Sequence, residues 1–394
     1  FPWLKIYDPI DDTWSREGRM PVSRVFHTAT LLQDNRVLIA GGLSETTIVN
    51  SAETFNPAER ELISTGLMYK KRERHTATLL NDGKVLVTGG LAPEGPTNST
   101  EVYDPNTNRW TRTGKMSKAR IEHVATILPN GNVLVTGGQD ETSAHYLSEI
   151  YDPTTGLWSS AGELEWTRVV HTATLMPNGK VLITGGGNAI TEIYDPTTGE
   201  WSSTNLIETN RQGHTATILK DGRVLVTGGG QNVKTAEMYN PATGIWVPAG
   251  EMEFGRAAHT ATLLDDGKVL VVGGADTIGS SEVVEVYNPE TGRWVLLGGE
   301  SGQWLPPTNM TSGRAEHRST LLGDGRILVT GGRHRKGESD EESGIVNFLN
   351  SYEIYDPSSK SWSDSKNMAN ARVGHSSTFL NTGKTFKANL FLLT

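Results

Sequence analysis

The chain has 394 residues, a net charge of −9 and a pI near 5.6, with no cysteine and with 44 glycines beside 10 tryptophans and 10 tyrosines. The absence of Cys excludes disulfides, thiolate catalysis and Cys-ligated metals, and the acidic balance disfavours a nucleic-acid surface, which needs clustered Lys and Arg. No run of about 18 apolar residues marks a membrane-spanning helix, and abundant glycine and aromatics without helical periodicity suit many short strands.

From the N-terminus, "IYDPIDDTW" (6–14) predicts a hairpin with no sister hairpin before it. A longer unit then begins at Arg24 and recurs: R-x-x-H-T-A-T-L-L-x-D-G-K-V-L-V-T-G-G, a variable stretch, E-x-Y-D-P-x-T-G-x-W, then G-x-M. Within "RERHTATLLNDGKVLVTGG" (72–90), Asp82-Gly83 joins two short strands, and an Asp-Gly or Asn-Gly pair supplies the positive φ angles of a tight hairpin. "EVYDP" and "RWTRTG" flank a second turn, where Pro105 ends the strand, so each unit predicts four antiparallel strands. The repeat histidines, His27, His75, His123, His171, His214, His259, His317 and His375, are 48, 48, 48, 43, 45, 58 and 58 residues apart. That is the period of a four-stranded propeller blade.

At the C-terminus, "HSSTFLNTGKTFKANLFLLT" (375–394) supplies a first hairpin with no second after it. Joined to residues 6–14 it completes one blade, so 385–393 is expected to pair with the strand containing Leu4 to Tyr7. The count is eight blades, about 24–66, 72–114, 120–162, 168–204, 211–250, 256–298, 314–366 and the composite 372–394 plus 1–18, all in one all-β domain. The alternative is seven blades with loosely attached termini.

With seven glycine pairs, from Gly41-Gly42 to Gly331-Gly332, and seven outer-strand tryptophans, the units resemble kelch repeats over essentially the whole chain. The resemblance implies a kelch β-propeller of the galactose-oxidase-like superfamily, whose relatives usually have six or seven blades, while the hairpin count gives eight. It also implies that the loops after the glycine pairs and the interblade loops share one face, around the channel mouth, where partners bind. The copper-radical chemistry of that superfamily needs a Cys-crosslinked Tyr and is excluded here. No iron motif of the plant specifier type, no G-x-S-x-G, no H-E-x-x-H and no P-loop is present. No cofactor or metal is expected.

The eight histidines and the arginines three residues before them read as structural, because neighbouring blades lie roughly 10 Å apart, whereas ligands share a metal at about 2 Å. A subset of the arginines is expected to face solvent at the channel mouth and read acidic groups. Functional information is sought where the repeat varies. Three adjacent interblade loops carry Glu165, Glu208 and Glu253, with Trp166 and Phe254 beside them. The candidate binding patch is Glu165, Trp166, Arg168, Glu208, Arg211, Glu253, Phe254, Arg256 and Arg314, covered by Trp304. Exposed aromatic faces beside carboxylates and Arg forks suit a peptide or a sugar. The favoured reading is a non-catalytic module that binds a protein partner or other ligand. The alternative is a carbohydrate-binding or carbohydrate-active propeller of lectin, glycosidase or sugar-isomerase type using the three Glu. Segments 298–313 and 333–350 are candidate contact or lid loops, although the charged run 333–343 also reads as a solvated excursion. Sequons at Asn98 and Asn309, with a start at Phe1, incline the reading towards a secreted protein.

Overall fold

The computed structural model describes residues 3–230, 232–277, 279–297, 309–335, 346–368 and 370–387. Eight antiparallel sheets stand in a ring, and the innermost strands of neighbouring sheets touch. In one blade the order from the channel outward is Thr76–Leu79, Val85–Thr88, Thr100–Asp104 and Arg109–Arg112. The second strand is buried along its length in every complete blade, which explains its near-continuous Val, Leu and Ile. The innermost strand is half-buried along its length, lying against the channel.

The ring closes as the orphan hairpins require. One sheet has the order Thr13–Arg19, Trp3–Asp8, Thr385–Lys387, Ser377–Phe379, taking two strands from each end of the chain. Lys5 pairs with Lys387, Ile6 with Phe386 and Tyr7 with Thr385; the remainder of the expected pairing, 388–393, lies outside the described residues. Among the described residues no helix is long and apolar enough to cross a membrane.

The first-hairpin turn differs from expectation. Gly83 has φ +84°, but Asp82 is not left-handed. Leu80 N–H donates to Lys84 O, Gly83 N–H donates to Leu80 O, and Asp82 Oδ1 accepts Lys84 N–H. This is a type I turn followed by a left-handed glycine, so the Asp contributes a side-chain acceptor rather than a positive φ.

The core is divided among the blade interfaces. Leu38 and Met68 from one side pack with Val85, Val87, Tyr103 and Trp110 from the next. Trp110 tilts against Tyr103 at 5.2 Å and donates its indole N–H to Thr65 Oγ1 of the preceding blade at 3.0 Å. Trp201, Trp246 and Trp294 likewise reach the blade before them. The glycine pair marks where the next blade's loop crosses. A Cβ on Gly89 would stand 2.7 Å from Arg120 O, while Gly90 N–H donates to that carbonyl at 2.8 Å.

Candidate functional site: the loop face and the channel rim

Both loop classes meet on one face. In five blades the residue after the repeat arginine bridges to the residue after a glycine pair, as in Val25 with Leu43, Glu73 with Leu91 and Ala257 with Ala275. Beneath this face lie the arginines. Arg72 donates Nη1 to the carbonyls of Gly89 and Ser99 and Nη2 to Ser99 Oγ and the Glu101 carboxylate, at 2.7 to 3.0 Å. Six further blades pair Arg24 with Glu53, Arg120 with Glu149, Arg168 with Glu192, Arg211 with Glu237, Arg256 with Glu285 and Arg314 with Glu353. All eight repeat arginines are fully buried. The expectation that a subset faces solvent is therefore corrected. Arg168, Arg211, Arg256 and Arg314 spend their forks on their own blade and lie under the candidate patch.

The strand glutamates also anchor the loops above them. Glu192 accepts the backbone N–H of Glu165 at 2.7 Å, Glu237 that of Glu208 at 2.9 Å and Glu285 that of Glu253 at 2.7 Å. The side chains of Glu165, Glu208 and Glu253 thus project outward from fixed backbone. Trp166 is 54% exposed and Phe254 37%, and Glu165 takes a hydrogen bond from Ser203 Oγ. Tyr146, Val170 and Leu206 add exposed apolar surface, and Tyr146 O accepts the N–H of Leu164, two residues before Trp166. Trp304 lies outside the described residues.

The histidines stitch blade to blade. Nε2 of His75 meets Thr28 Oγ1, Nε2 of His123 meets Thr76, and the pattern continues through His171–Thr136, His214–Thr172, His259–Thr215, His317–Thr260 and His375–Thr330 to His27–Ser376, at 2.8 to 3.0 Å. Burial, reinforced by the neighbouring repeat arginines, pushes His27, His123, His171, His214 and His317 down to about 3. The rings are neutral at physiological pH. Among the described residues no group of three His, Asp or Glu could hold a metal.

Sequence reasoning missed the rim itself. The residue before each repeat histidine is left-handed: Phe26, Arg74, Glu122, Val170, Ala258 and Glu316 have φ of 52° to 56°, and Gly213 and Gly374 are also positive. Around the rim Arg74 N–H donates to Phe26 O, Ala258 N–H to Gly213 O and Glu316 N–H to Ala258 O. These bonds hold side chains that differ from blade to blade in a conformation costing non-glycine residues roughly 1 kcal/mol or more.

Two cavities lie elsewhere. One of about 280 Å³ is lined by Tyr69, Lys70, Asn98, Arg112 and Lys115 at the edge of the second blade, with Arg112 4.5 Å over the Tyr69 ring. The other, about 110 Å³, sits between outer strands near Tyr355. Neither takes in Glu165, Glu208, Glu253 or Trp166. Of the two sequons, Asn98 spends its amide N–H on Met116 O at 2.9 Å, and Asn309 keeps its side-chain carbonyl buried.

Comparison with known proteins agrees with this anatomy. The KLHDC2/KLHL20/DRC7 Kelch-repeats domain model matches residues 4–187, and the Kelch motif matches 256–299. No curated protein sequence matches the chain. A solved structure similar in fold is a fungal alcohol oxidase of the AA5 family in complex with copper, with TM-score 0.61 and 17% identity, covering 94% of this chain and 91% of that one. At that identity the likeness shows the fold alone. The four-stranded blades, the glycine pairs at blade crossings, the Tyr–Trp pairs and the matching family models together make this chain a kelch-repeat β-propeller of eight blades.

Proposed function

We propose that the chain is a non-catalytic module that binds a protein partner on its loop face, centred on the blades that carry Glu165, Trp166, Glu208, Glu253 and Phe254. The observation that carries this reading is Trp166, a large aromatic 54% exposed on a loop whose backbone is tied down at Glu165. A fixed, solvated aromatic flanked by carboxylates is prepared surface, and desolvating it supplies binding energy without an ordering cost. Arg168, Arg211, Arg256 and Arg314 act as buried supports that set the heights of these loops. The three exposed Glu favour a partner segment bearing Lys or Arg.

A glycan reading calls for a concave site in which Glu and Trp converge. The spread of these groups over neighbouring blades favours a broad protein contact instead. The test compares capture from the native source by the wild-type chain and by Trp166→Ala/Phe254→Ala, alongside thermal shift against a glycan panel. The reading expects a salt-sensitive protein partner that the double variant loses. Stabilisation by a sugar, with equal capture by both chains, would overturn it.

A further inference from the structure

The edge of the second blade reverses the charge of the patch that carries Glu165 and Glu253. On the loop entering this blade the place of those acids is held by Tyr69, and Lys70 follows it. The outer-strand residue opposite the strand glutamate is Arg112 here, whereas Ser64, Ser160, Ser203, Pro248 and Leu296 fill that place in five other blades. Lys115, just before the packing residue Met116, stands where the acidic sector has Glu163 and Glu251. Residues 105–121 contain no Asp or Glu, although the chain as a whole has a net charge of −9.

Tyr69, Lys70, Arg112 and Lys115 line one cavity of about 280 Å³. Its walls are fixed by bonds that occupy the other polar groups. Glu101 accepts the N–H groups of Tyr69 and Lys70 at 2.6 and 2.9 Å and pairs with buried Arg72. Asn98 donates to Met116 O, Ser99 Oγ accepts from Arg72 Nη2, and Thr113 Oγ1 donates to Gly156 O. Arg112 lies over the Tyr69 ring, with Cζ 4.5 Å from its centroid, a contact that positions the guanidinium without spending an N–H on an acceptor. Lys70 pairs with exposed Glu94, while neither Arg112 nor Lys115 has a carboxylate partner among the described residues. Four cations, Lys70, Arg72, Arg112 and Lys115, thus stand against two acids, Glu94 and Glu101, which leaves the cavity a formal charge of +2.

We infer that this cavity binds a small phosphate monoester. Such an ester is close to doubly negative at neutral pH, which matches the cavity's charge, and its oxygens take separate donors from Arg112, Lys115 and Lys70. A volume near 280 Å³ suits a phosphorylated molecule of about hexose size, at the small end of ligand pockets. Asn98 and Ser99, both half-buried, supply a polar wall for the rest of the molecule. The site does not rest on the protein contact centred on Trp166, which sits two interblade loops further along the chain.

The test is isothermal titration calorimetry on the full chain at neutral pH and constant ionic strength, with glucose 6-phosphate, glucose 6-sulfate, inorganic phosphate and glucose as probes. The phosphate ester should bind saturably with a Kd at or below about 1 mM, the sulfate ester and inorganic phosphate at least about tenfold more weakly, and glucose not at all. Arg112→Ser installs the residue of three other blades and Lys115→Glu that of the acidic sector. Each should weaken binding at least about tenfold while leaving the melting temperature in place, since both side chains are exposed. Arg109→Ser, on the same strand but outside the cavity, should leave binding unchanged and so separates a site from general attraction of anions. No saturable binding of the phosphate ester, equal binding of the sulfate ester or of inorganic phosphate, or equal losses in Arg109→Ser and Arg112→Ser overturns the inference.

Discussion

His75 Nε2 lies 2.9 Å from Thr28 Oγ1, so one nitrogen of a ring buried in one blade meets a hydroxyl of the blade before it. Seven more such contacts run round the channel, between rings that burial beside the repeat arginines holds neutral.

Acid should therefore open the whole ring at once. Each histidine has a folded pKa below its unfolded value of about 6.5, so between those limits the unfolded chain binds more protons and stability falls as pH falls. The slope approaches ~1.4 kcal/mol per pH unit for each ring. Unfolding followed by tryptophan fluorescence should be cooperative between about pH 6 and pH 4. A melting temperature unchanged at pH 4 would contradict this origin.

The Arg–Glu pairs should not be equivalent. Glu101 holds Arg72 and accepts the N–H groups of Tyr69 and Lys70, whereas the matching loop position above Glu53 is Pro21, which has no N–H. Burial raises the pKa of Glu53, whose Oε2 lies 2.9 Å from Arg24 Nη2. Glu101→Gln should cost about 3–5 kcal/mol in urea unfolding, because a buried charge is orphaned. Glu53→Gln should cost roughly 1–2 kcal/mol less, since no loop N–H is lost with it.

Exposed and buried tryptophans should separate function from stability. Trp110→Ala removes an interblade wedge and a hydrogen bond, and should cost about 3–5 kcal/mol. Trp166→Ala should change stability by less than about 0.5 kcal/mol yet weaken partner binding roughly tenfold or more. Equal destabilisation of the two variants would mean that Trp166 is packing after all.

At the rim, Val170 is a β-branched residue at φ 55°, a poor conformation for it. Val170→Gly should stabilise the fold by about 1 kcal/mol while removing an exposed contact side chain. Gly89→Ala should do the opposite, with a loss of several kcal/mol, because its Cβ would meet His123 and Arg120 O.

The blades and their closure were legible because turn residues, aromatic pairs and orphan hairpins are local signals that repetition amplifies. The arginines' partners were not. Glu192 lies 24 residues beyond Arg168 and meets it only across a folded blade, whereas Glu165, three residues away, was the nearer acid in the chain. The left-handed rim was hidden for another reason: Phe, Arg, Glu and Val carry no signature of positive φ, and the conformation is imposed by hydrogen bonds from adjoining blades. Lys5 stands in "LKIYDP" where the other units have Glu before x-Tyr or, at Phe55, x-Phe, and its place opposite Lys387 needed the strand register.

The composite blade also fixes how the ring responds to tension. Trp3–Asp8 and Thr385–Lys387 run antiparallel, with Tyr7 against Thr385 and Lys5 against Lys387, so both backbones point towards their own chain ends on the same side of the ladder. A force pulling those ends apart peels the pairs one at a time instead of shearing them together. Closure is a zipper: tether the propeller by both ends and it should part at this seam under a small load, with the other seven sheets still folded.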